Sequence, residues 1–299
     1  MNRVTLTALR ALPLPRHEQG DSKEGRGQLL LVGGCLAVPG AILLSAGGAL
    51  RAGAGKLKIA TCRSIAPHLG LTMPEAMVIG LPETEEGAIA DHAGRLIAKP
   101  AAAADAVLLG PGMMGSDGMA ELVSTLLEAG GEQTSFVFDA GALCGLQGSL
   151  EALHRPGCNA VITPHAGEMA RLLDIPRETV AADPLRYARE AASLLCCTVV
   201  MKGGTTHVVG PDGEAWVFDG GTIGLATSGS GDVLAGVIAG LLARGTPTVH
   251  AAIWGVYLHA EAGTRLTRRY GGIGLLAREL AGEIPAIMAE TQGMAAGGG

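Results

Sequence analysis

The sequence predicts an α/β fold in which a single doubly wound, mostly parallel sheet is flanked by helices. Short apolar runs alternate with helical patterns from about residue 28 to about residue 203. Runs that are apolar throughout are typical of parallel strands covered by helices on both faces. Glycine, at 47 of 299 residues, is about twice as common as usual, which favours tight turns and close backbone approaches.

Seven runs read as strands, and helical patterns lie between them. The predicted strands are 28–34, 56–61, 76–81, 105–110, 135–140, 159–163 and 198–203. The predicted helices are 40–53, 64–71, 87–98, 117–129, 167–173 and 184–196. This βαβα order indicates a parallel sheet with crossover helices.

The pattern changes after residue 203. The segment "THVVGPDGEAWVFDG" reads as a β-hairpin around a Pro-Asp-Gly turn. Three helices are predicted next, over 231–244, 247–269 and 274–289. Because there is no internal repeat and no long linker, we expect residues 1–299 to form one domain, ordered from about 22 to 290 and frayed at its C-terminal tail.

Composition narrows the classes of function. The net charge is −6 and no basic run is present, which argues against a nucleic-acid partner. No uncharged apolar run reaches the roughly 18 residues of a membrane span. The six cysteines include no C-x-x-C pair, so they indicate a reducing compartment, and we expect the cytoplasm.

Residues that follow the strands are the candidates for a site, since ligands of open parallel sheets bind beyond the carboxyl ends of the strands. Gly33 and Gly34 precede a helix opened by Pro39. "GPG" at 110–112, with Asp117 further on, could form an anion-binding nest, and a glycine turn explains it equally well.

Three more candidates follow the next strands. Asp139 could hold a metal or a sugar hydroxyl, or it could cap a helix. Glu168 is favoured near a helix N-terminus by the helix dipole, whereas His165 has no such structural reason to be there. An H-x-x-E pair could bind zinc, but the sequence does not supply the other ligands.

Two segments favour a phosphate site. A strand ends in Lys202, followed by Gly203, Gly204, Thr205 and Thr206, and a lysine there would be a point charge for phosphate.

The second segment, "TSGSGD", leads through Gly229 and Gly231 into a helix, where backbone N–H groups and the helix dipole favour anions. It lacks the ending of a Walker A motif. Asp232 is either a general base inside this anion site or a helix cap.

In this order the motifs resemble the ADP/ATP-dependent NAD(P)H-hydrate dehydratases of the ribokinase-like superfamily. The matching segments are "SKEGRGQLLLVGG", "PGAILLSAGGALRAGAGKLKIAT", "LLGPGMMG", "VITPHAGE", "VVMKGGTT" and "GSGDVLAG". The resemblance covers about residues 22 to 290, and the last three motifs are specific in combination.

The resemblance implies an enzyme, a carbon–oxygen lyase, that dehydrates the S epimer of hydrated NADH or NADPH with a nucleotide as phosphoryl donor. It implies that residues 202–206, with Gly229 and Gly231, hold ADP or ATP. Asp232 would be the general base and would also contact the substrate, together with Ala41, Gly112 and His165. Glu168 falls where the superfamily has a glutamate that organises Mg²⁺, usually through water.

The resemblance also implies partners. A separate epimerase would supply the S form, ADP is the expected donor, and a homo-oligomer, with a tetramer as the form seen in bacterial relatives, is expected. The apolar helix at 247–262 could supply an interface. Gly141, in "DAGAL", stands where the family commonly has an acidic residue. Cys35 and Val38 replace a serine and a methionine, and both are expected on the substrate side.

Two other functions stay open. A kinase of the same superfamily acting on a vitamin-precursor alcohol would share the fold and the base. A nucleotide-binding regulator without turnover would not need Asp232. The T-P-H-x-G-E loop and the P-G-A segment favour the dehydratase over the kinase.

Overall fold

A ten-stranded sheet forms the centre of the protein in the computed structural model, which describes residues 1–16, 22–23, 25–116 and 118–293. The strand order is β1-β10-β9-β8-β7-β6-β5-β2-β3-β4. The strands are β1 (Asn2–Arg3), β2 (Gln28–Val32), β3 (Lys56–Cys62), β4 (Ala76–Leu81), β5 (Ala106–Leu109), β6 (Ser135–Phe138), β7 (Asn159–Ile162), β8 (Thr198–Met201), β9 (Thr206–Val209) and β10 (Ala215–Phe218).

The sheet is parallel except around β9, which pairs antiparallel with both β8 and β10. Register aligns the strand ends along one edge: Val32 pairs with Leu109, Leu109 with Phe138, and Phe138 with Ile162. The residues that follow these strands therefore lie side by side, which is the geometry that the sequence predicted for the site.

Helices cover the sheet. They are α1 (Leu6–Ala11), α2 (Gly40–Arg51), α3 (Ala66–Thr72), α4 (Gly94–Ala102), α5 (Met119–Ala129), α6 (Leu150–Leu153), α7 (Ala166–Leu173), α8 (Arg177–Ala182), α9 (Pro184–Leu195), α10 (Ser230–Ala243), α11 (Thr248–Tyr270) and α12 (Ala277–Thr291). The central strands are fully buried beneath them, with Leu30, Leu108 and Val137 at 0% exposure. This confirms the predicted α/β fold.

Glycines allow α2 and α10 to pack backbone against backbone. A Cβ atom at Gly236 would lie 2.1 Å from the carbonyl oxygen of Ser45, and one at Gly240 would lie 2.5 Å from that of Ala49. From the other side, a Cβ atom at Gly48 would lie 2.7 Å from the carbonyl oxygen of Val233. Since any side chain at these positions would push the helices apart, the glycines fix how close α10 lies to α2.

Several predicted boundaries differ from the structure. The helix predicted over 87–98 begins only at Gly94, because Gly87 lies in a turn with a φ of 76°, Ile89 pairs with Glu83 in an isolated antiparallel bridge, and Asp91–Ala93 form a 3-10 turn. The helix predicted from 117 begins at Met119, and Asp117 lies outside the described residues. The expected fraying of the tail also falls outside them, beyond residue 293.

Some short elements had no clear signal in the sequence. Strand β1 consists of only two residues, which pair with Trp216 and Val217 of β10. Helix α1 is capped by Thr5, whose hydroxyl accepts a hydrogen bond from the N–H of Ala8. Both elements are too short for hydrophobic periodicity to reveal them.

The apolar face of α11 packs inside the protein. Ala251, Ile253, Trp254 and Leu258 are at most 1% exposed, and Trp254 donates a hydrogen bond to the carbonyl of Leu12. The expectation that 247–262 supplies an interface between subunits is therefore wrong, since these side chains belong to the core. Among the described residues, no helix is long and apolar enough to cross a membrane.

Candidate active site

A buried carboxylate, Asp139, organises the centre of the strand-end edge. Its Oδ1 accepts hydrogen bonds from the Thr163 hydroxyl at 2.7 Å and from the Lys202 ammonium at 2.9 Å. The side chain of Asp139 is 3% exposed. Asp139 follows β6, Thr163 follows β7 and Lys202 follows β8, so three neighbouring strands deliver the cluster. Asp139 makes no side-chain capping bond to the turn that follows it.

Lys202 is held between carboxylates rather than solvated. Besides Asp139, its ammonium lies 3.6 Å from Oε2 of Glu168. Burial alone would lower the pKa of Lys202, but attraction to Asp139 and the other nearby carboxylates outweighs it, and the pKa lies above its ordinary value. Lys202 therefore stays charged at the edge of the sheet.

His165 and Glu168 form a capping box at the start of α7. The Nδ1 atom of His165 accepts from the N–H groups of Gly167 and Glu168, and Oε2 of Glu168 accepts from the N–H of His165 at 2.8 Å. The expectation that His165 had no structural reason for its position is wrong. Because Nδ1 is an acceptor, the proton of the neutral ring lies on Nε2. His165 remains half exposed, at 55%.

Asp232 is the third residue of α10, since the helix begins at Ser230 and its N-cap is Gly229. Asp232 is therefore not the N-cap residue, although its carboxylate accepts a hydrogen bond from its own backbone N–H in the first turn. Burial raises the pKa of Asp232 to about 7, with Asp139 adding to the rise and Lys202 opposing it. A carboxylate with this pKa can take up and release a proton near neutral pH.

The first turn of α10 is held from two sides. The Ser45 hydroxyl of α2 donates to the carbonyl of Asp232 at 2.8 Å. From α11, Nε2 of the buried His259 donates to the carbonyl of Ser230 at 2.9 Å. Burial lowers the pKa of His259 to about 4, so it is neutral. His259 was not found from the sequence, because it is a single polar residue within a long helical pattern.

Glycines bring the two predicted phosphate segments together. Gly229 has a φ of 87°, and a Cβ atom there would lie 2.3 Å from Cδ1 of Leu44. A Cβ atom at Gly231 would lie 3.4 Å from Nζ of Lys202. The start of α10 and the lysine are thus neighbours, as expected if the two predicted phosphate segments form one site.

A cavity of about 780 Å³ opens beside them. Its polar and glycine lining includes Lys202, Gly203, Gly204, Thr206 and Gly231, and His165 and His259 also line it. Its apolar lining consists of Phe218, Ile223, Leu225, Ala226, Leu234, Val256 and Ala260. Thr205 and Gly229 are next to the cavity in sequence but do not line it. A cavity of this size, lined by both a lysine with glycines and apolar side chains, suits a nucleotide.

Ala41 and Gly112 lie next to each other, near the start of α10. Gly112 has a φ of 68°, and a Cβ atom there would lie 2.9 Å from Cβ of Ala41. Ala41 is one helical turn before Ser45, which contacts Asp232, and its carbonyl accepts from the Ser45 hydroxyl. These predicted substrate residues are therefore close to the predicted base. Of the two departures on this side, Val38, at 46% exposure, is more accessible to a ligand than Cys35, at 3%.

His165 and Glu168 have no further candidate zinc ligands grouped with them among the described residues. The part of the chain that the structure describes contains no cluster of three or more His, Cys, Asp or Glu side chains able to hold a metal. The carboxylates here already bind Lys202, Thr163 or a backbone N–H.

The sheet order and the likeness to solved structures place the chain in the ribokinase-like class of α/β folds. Within that class, the chain belongs to the NAD(P)H-hydrate dehydratase family, whose model matches residues 29–286. It is 47% identical to the ADP-dependent (S)-NAD(P)H-hydrate dehydratase of Xanthomonas campestris over 95% of both chains.

Solved structures agree with this family assignment. The crystal structure of the ADP/ATP-dependent NAD(P)H-hydrate dehydratase of Bacillus subtilis, co-crystallised with ATP and Mg²⁺, matches with a TM-score of 0.81 at 29% identity. The match covers 97% of this chain and 98% of that one. The chain is also 36% identical to the bifunctional NAD(P)H-hydrate repair enzyme of Moorella thermoacetica, of which it spans 52% of the length.

Proposed function

We propose that this protein dehydrates the S epimer of NADH hydrate or NADPH hydrate, with ADP or ATP as the phosphoryl donor. The observation that carries the proposal is Asp232, a carboxylate with a pKa of about 7 in the first turn of α10, next to Lys202 and the glycine segments. Family membership and the name of the Xanthomonas campestris relative support the same activity.

The base acts on the hydroxyl group of the hydrated ring. Asp232 takes the hydroxyl proton while the oxygen attacks the terminal phosphorus of the nucleotide, which leaves one phosphate shorter. The phosphorylated carbon–oxygen bond then breaks, assisted by the lone pair of the ring nitrogen. Loss of a proton from the adjacent ring carbon restores the double bond, so the products are NAD(P)H, phosphate and the shortened nucleotide.

The nucleotide would occupy the 780 Å³ cavity. Its phosphates would meet Lys202, the backbone N–H groups of Gly203 and Gly204, and the start of α10 at Gly231. The base and ribose would pack against apolar side chains of the lining, such as Phe218 and Leu234. We expect ADP as the preferred donor, because the Xanthomonas campestris relative is named ADP-dependent.

Ala41, Gly112 and His165 would contact the hydrated ring beside Asp232. Ala41 and Gly112 leave room for a flat group because neither projects a long side chain. The neutral His165 has its Nε2–H available as a donor, since Nδ1 is occupied by the capping box. Such a donor could orient a hydroxyl or phosphate oxygen during transfer.

Magnesium fits the site only in part. Mg²⁺ usually keeps several waters and binds through one or two carboxylates and the substrate's phosphates. Glu168 would hold it through water, because Oε2 already accepts a hydrogen bond from the N–H of His165. When bound, the ion would neutralise charge that develops on the transferred phosphate.

We also propose a partner enzyme, an oligomeric state and a location for this protein. A separate epimerase would convert the R hydrate to the S form. We further propose a homo-oligomer, as a tetramer, although the apolar face of α11 is not its interface. A cytoplasmic location is supported by the six cysteines, all of which are free thiols.

The test is a recovery assay. Purified protein receives (S)-NADH hydrate, Mg²⁺ and either ADP or ATP, and we expect the absorbance band of NADH to return as inorganic phosphate appears. A kinase acting on a vitamin-precursor alcohol would instead accumulate a stable phosphate ester. Phosphorylation of such an alcohol, with no NADH recovered from either nucleotide, would replace the dehydratase proposal by the kinase.

A further inference from the structure

A second hollow, of about 520 Å³, has Glu168 of the candidate site in its wall. We call it the Arg171 hollow; its walls are residues 113–116, the turn at 140–144, and α7 with Glu168 and Arg171. His165 lines the nucleotide cavity and Glu168 lines this hollow. The capping box at the start of α7 therefore separates the two spaces.

Two glycines create the hollow's shape. A Cβ atom at Gly141 would lie 2.5 Å from the carbonyl oxygen of Met113, and one at Gly115 would lie 2.9 Å from Sγ of Cys144. The two loops can pack together only because these positions lack side chains. A side chain at 141 does not fit this arrangement, so the wall carries no charge at that position.

The charge of the hollow is set by Arg171. It is exposed, it lies one helical turn after Glu168, and it makes no ion pair within the described ranges. Glu168 is buried and lies against Lys202. Asp91, which accepts a hydrogen bond from Ser116, does not line the hollow. An unpaired guanidinium over a hollow of this size favours phosphate, to which arginine can bind in a bidentate manner.

The hollow is also placed to continue the substrate site. It begins at Met113, the residue after Gly112, and at the turn that follows Asp139. When the hydrated ring lies at Asp232, the protein must still provide a binding site for the diphosphate and the adenosine of the dinucleotide. The nucleotide cavity is reserved for the phosphoryl donor, so the remaining half needs a different space.

We propose that the Arg171 hollow binds the adenosine half of the hydrated dinucleotide, with Arg171 contacting one of its phosphates. The exposed Met114 packs against the ribose or base. The inference rests on the proposed dehydratase function and names the part of the chain that recognises the far end of its substrate. The phosphate is either the diphosphate bridge, present in both cofactors, or the 2′-phosphate, present in NADPH hydrate only.

The experiment compares Arg171→Gln and Arg171→Lys with the parent, on (S)-NADH hydrate and (S)-NADPH hydrate at saturating ADP. Loss of a charge-assisted hydrogen bond should raise KM by about 10-fold or more in Arg171→Gln, with kcat nearly unchanged. Arg171→Lys should recover part of the loss because it keeps the charge. Met114→Glu, at a 66% exposed position, should also raise KM by adding a negative charge.

The matched control is Arg186→Gln, an exposed arginine on α9 that lines none of the described cavities. A rise in KM for both hydrates identifies the diphosphate as the partner, and a rise for NADPH hydrate alone identifies the 2′-phosphate. Unchanged KM for both hydrates, or a rise in KM for ADP instead, would overturn the proposal.

A binding measurement separates this inference from the proposed function. Calorimetric titration of NADP⁺ into parent and Arg171→Gln protein, with AMP present to fill the nucleotide cavity, needs no turnover. Weaker binding to the variant supports the hollow even if the parent fails to recover NADH. Equal binding to the two proteins overturns the inference whether or not the parent is active.

Discussion

Three carboxylates share one lysine at the strand-end edge. Asp139 binds Lys202 directly, Glu168 lies 3.6 Å from it, and Asp232 is left as the carboxylate whose pKa rises to about 7. Two carboxylates are thus used to fix a cation, and the third is the one free to exchange a proton. This division of roles follows from geometry, since all three residue types are ordinary in isolation.

The role of Asp232 predicts a dependence on pH. Asp232→Asn should lower kcat by roughly 10²-fold or more, as expected for loss of a general base. In the parent, kcat/KM should rise with pH and level off above about 7, because the base acts only when deprotonated. Steady-state rates from pH 5 to 9 measure both effects. A variant with near-parental rates would leave Asp232 without a catalytic role.

Individual residues show what the sequence could and could not reveal. Lys202 and Asp232 could be chosen because strand ends and helix starts are recognisable patterns. The bond from Lys202 to Asp139 spans 63 positions and depends on strand order, which periodicity does not give. The capping role of His165 was missed because histidine is not among the usual N-cap residues.

At the scale of elements, the crossing of α2 and α10 fixes the position of the base. Gly48, Gly236 and Gly240 let the helices touch, and the contact places the Ser45 hydroxyl on the carbonyl of Asp232. The order of helices and strands was predictable from alternating apolar runs. The close approach of α2 and α10 was not predictable, because a glycine in a helical pattern indicates only a lower helix propensity.

The crossing can be tested with one pair of alanine variants. Gly236→Ala should lower the free energy of unfolding by about 1–3 kcal/mol, since its Cβ atom would overlap the Ser45 carbonyl, and it should lower kcat by displacing Asp232. Gly282→Ala, on α12 with no atom within 4 Å of the new Cβ, is the control. It should be neutral or stabilising by about 0.5–1 kcal/mol.

Urea unfolding and the recovery assay measure this pair. The interpretation fails if Gly236→Ala is as stable and as active as Gly282→Ala. A variant at 236 that loses stability but keeps kcat would show that α10 can shift without moving the base.

At the scale of the whole molecule, one sheet connects the N-terminal strand β1 to the hairpin strand β10. This arrangement supports the prediction of a single domain, which the sequence suggested from the lack of a linker. The pairing of β1 with β10 joins residues about 214 positions apart, and no local pattern could have indicated it.

A single domain predicts one cooperative unfolding transition. Scanning calorimetry should give a single peak whose calorimetric and van't Hoff enthalpies agree. Two separate peaks would divide the chain into independent units. Repeating the scan at several protein concentrations tests the proposed homo-oligomer, because dissociation coupled to unfolding makes Tm rise with concentration.

The antiparallel strand β9 has a consequence for access to the site. A parallel strand is normally followed by a crossover helix that covers the edge of the sheet. After β8 the chain instead turns back at once through residues 202–205 into β9. The missing crossover leaves that stretch of the edge uncovered, and the nucleotide cavity occupies the space. The short glycine turn between β8 and β9 therefore leaves the cavity accessible and also forms part of its binding surface.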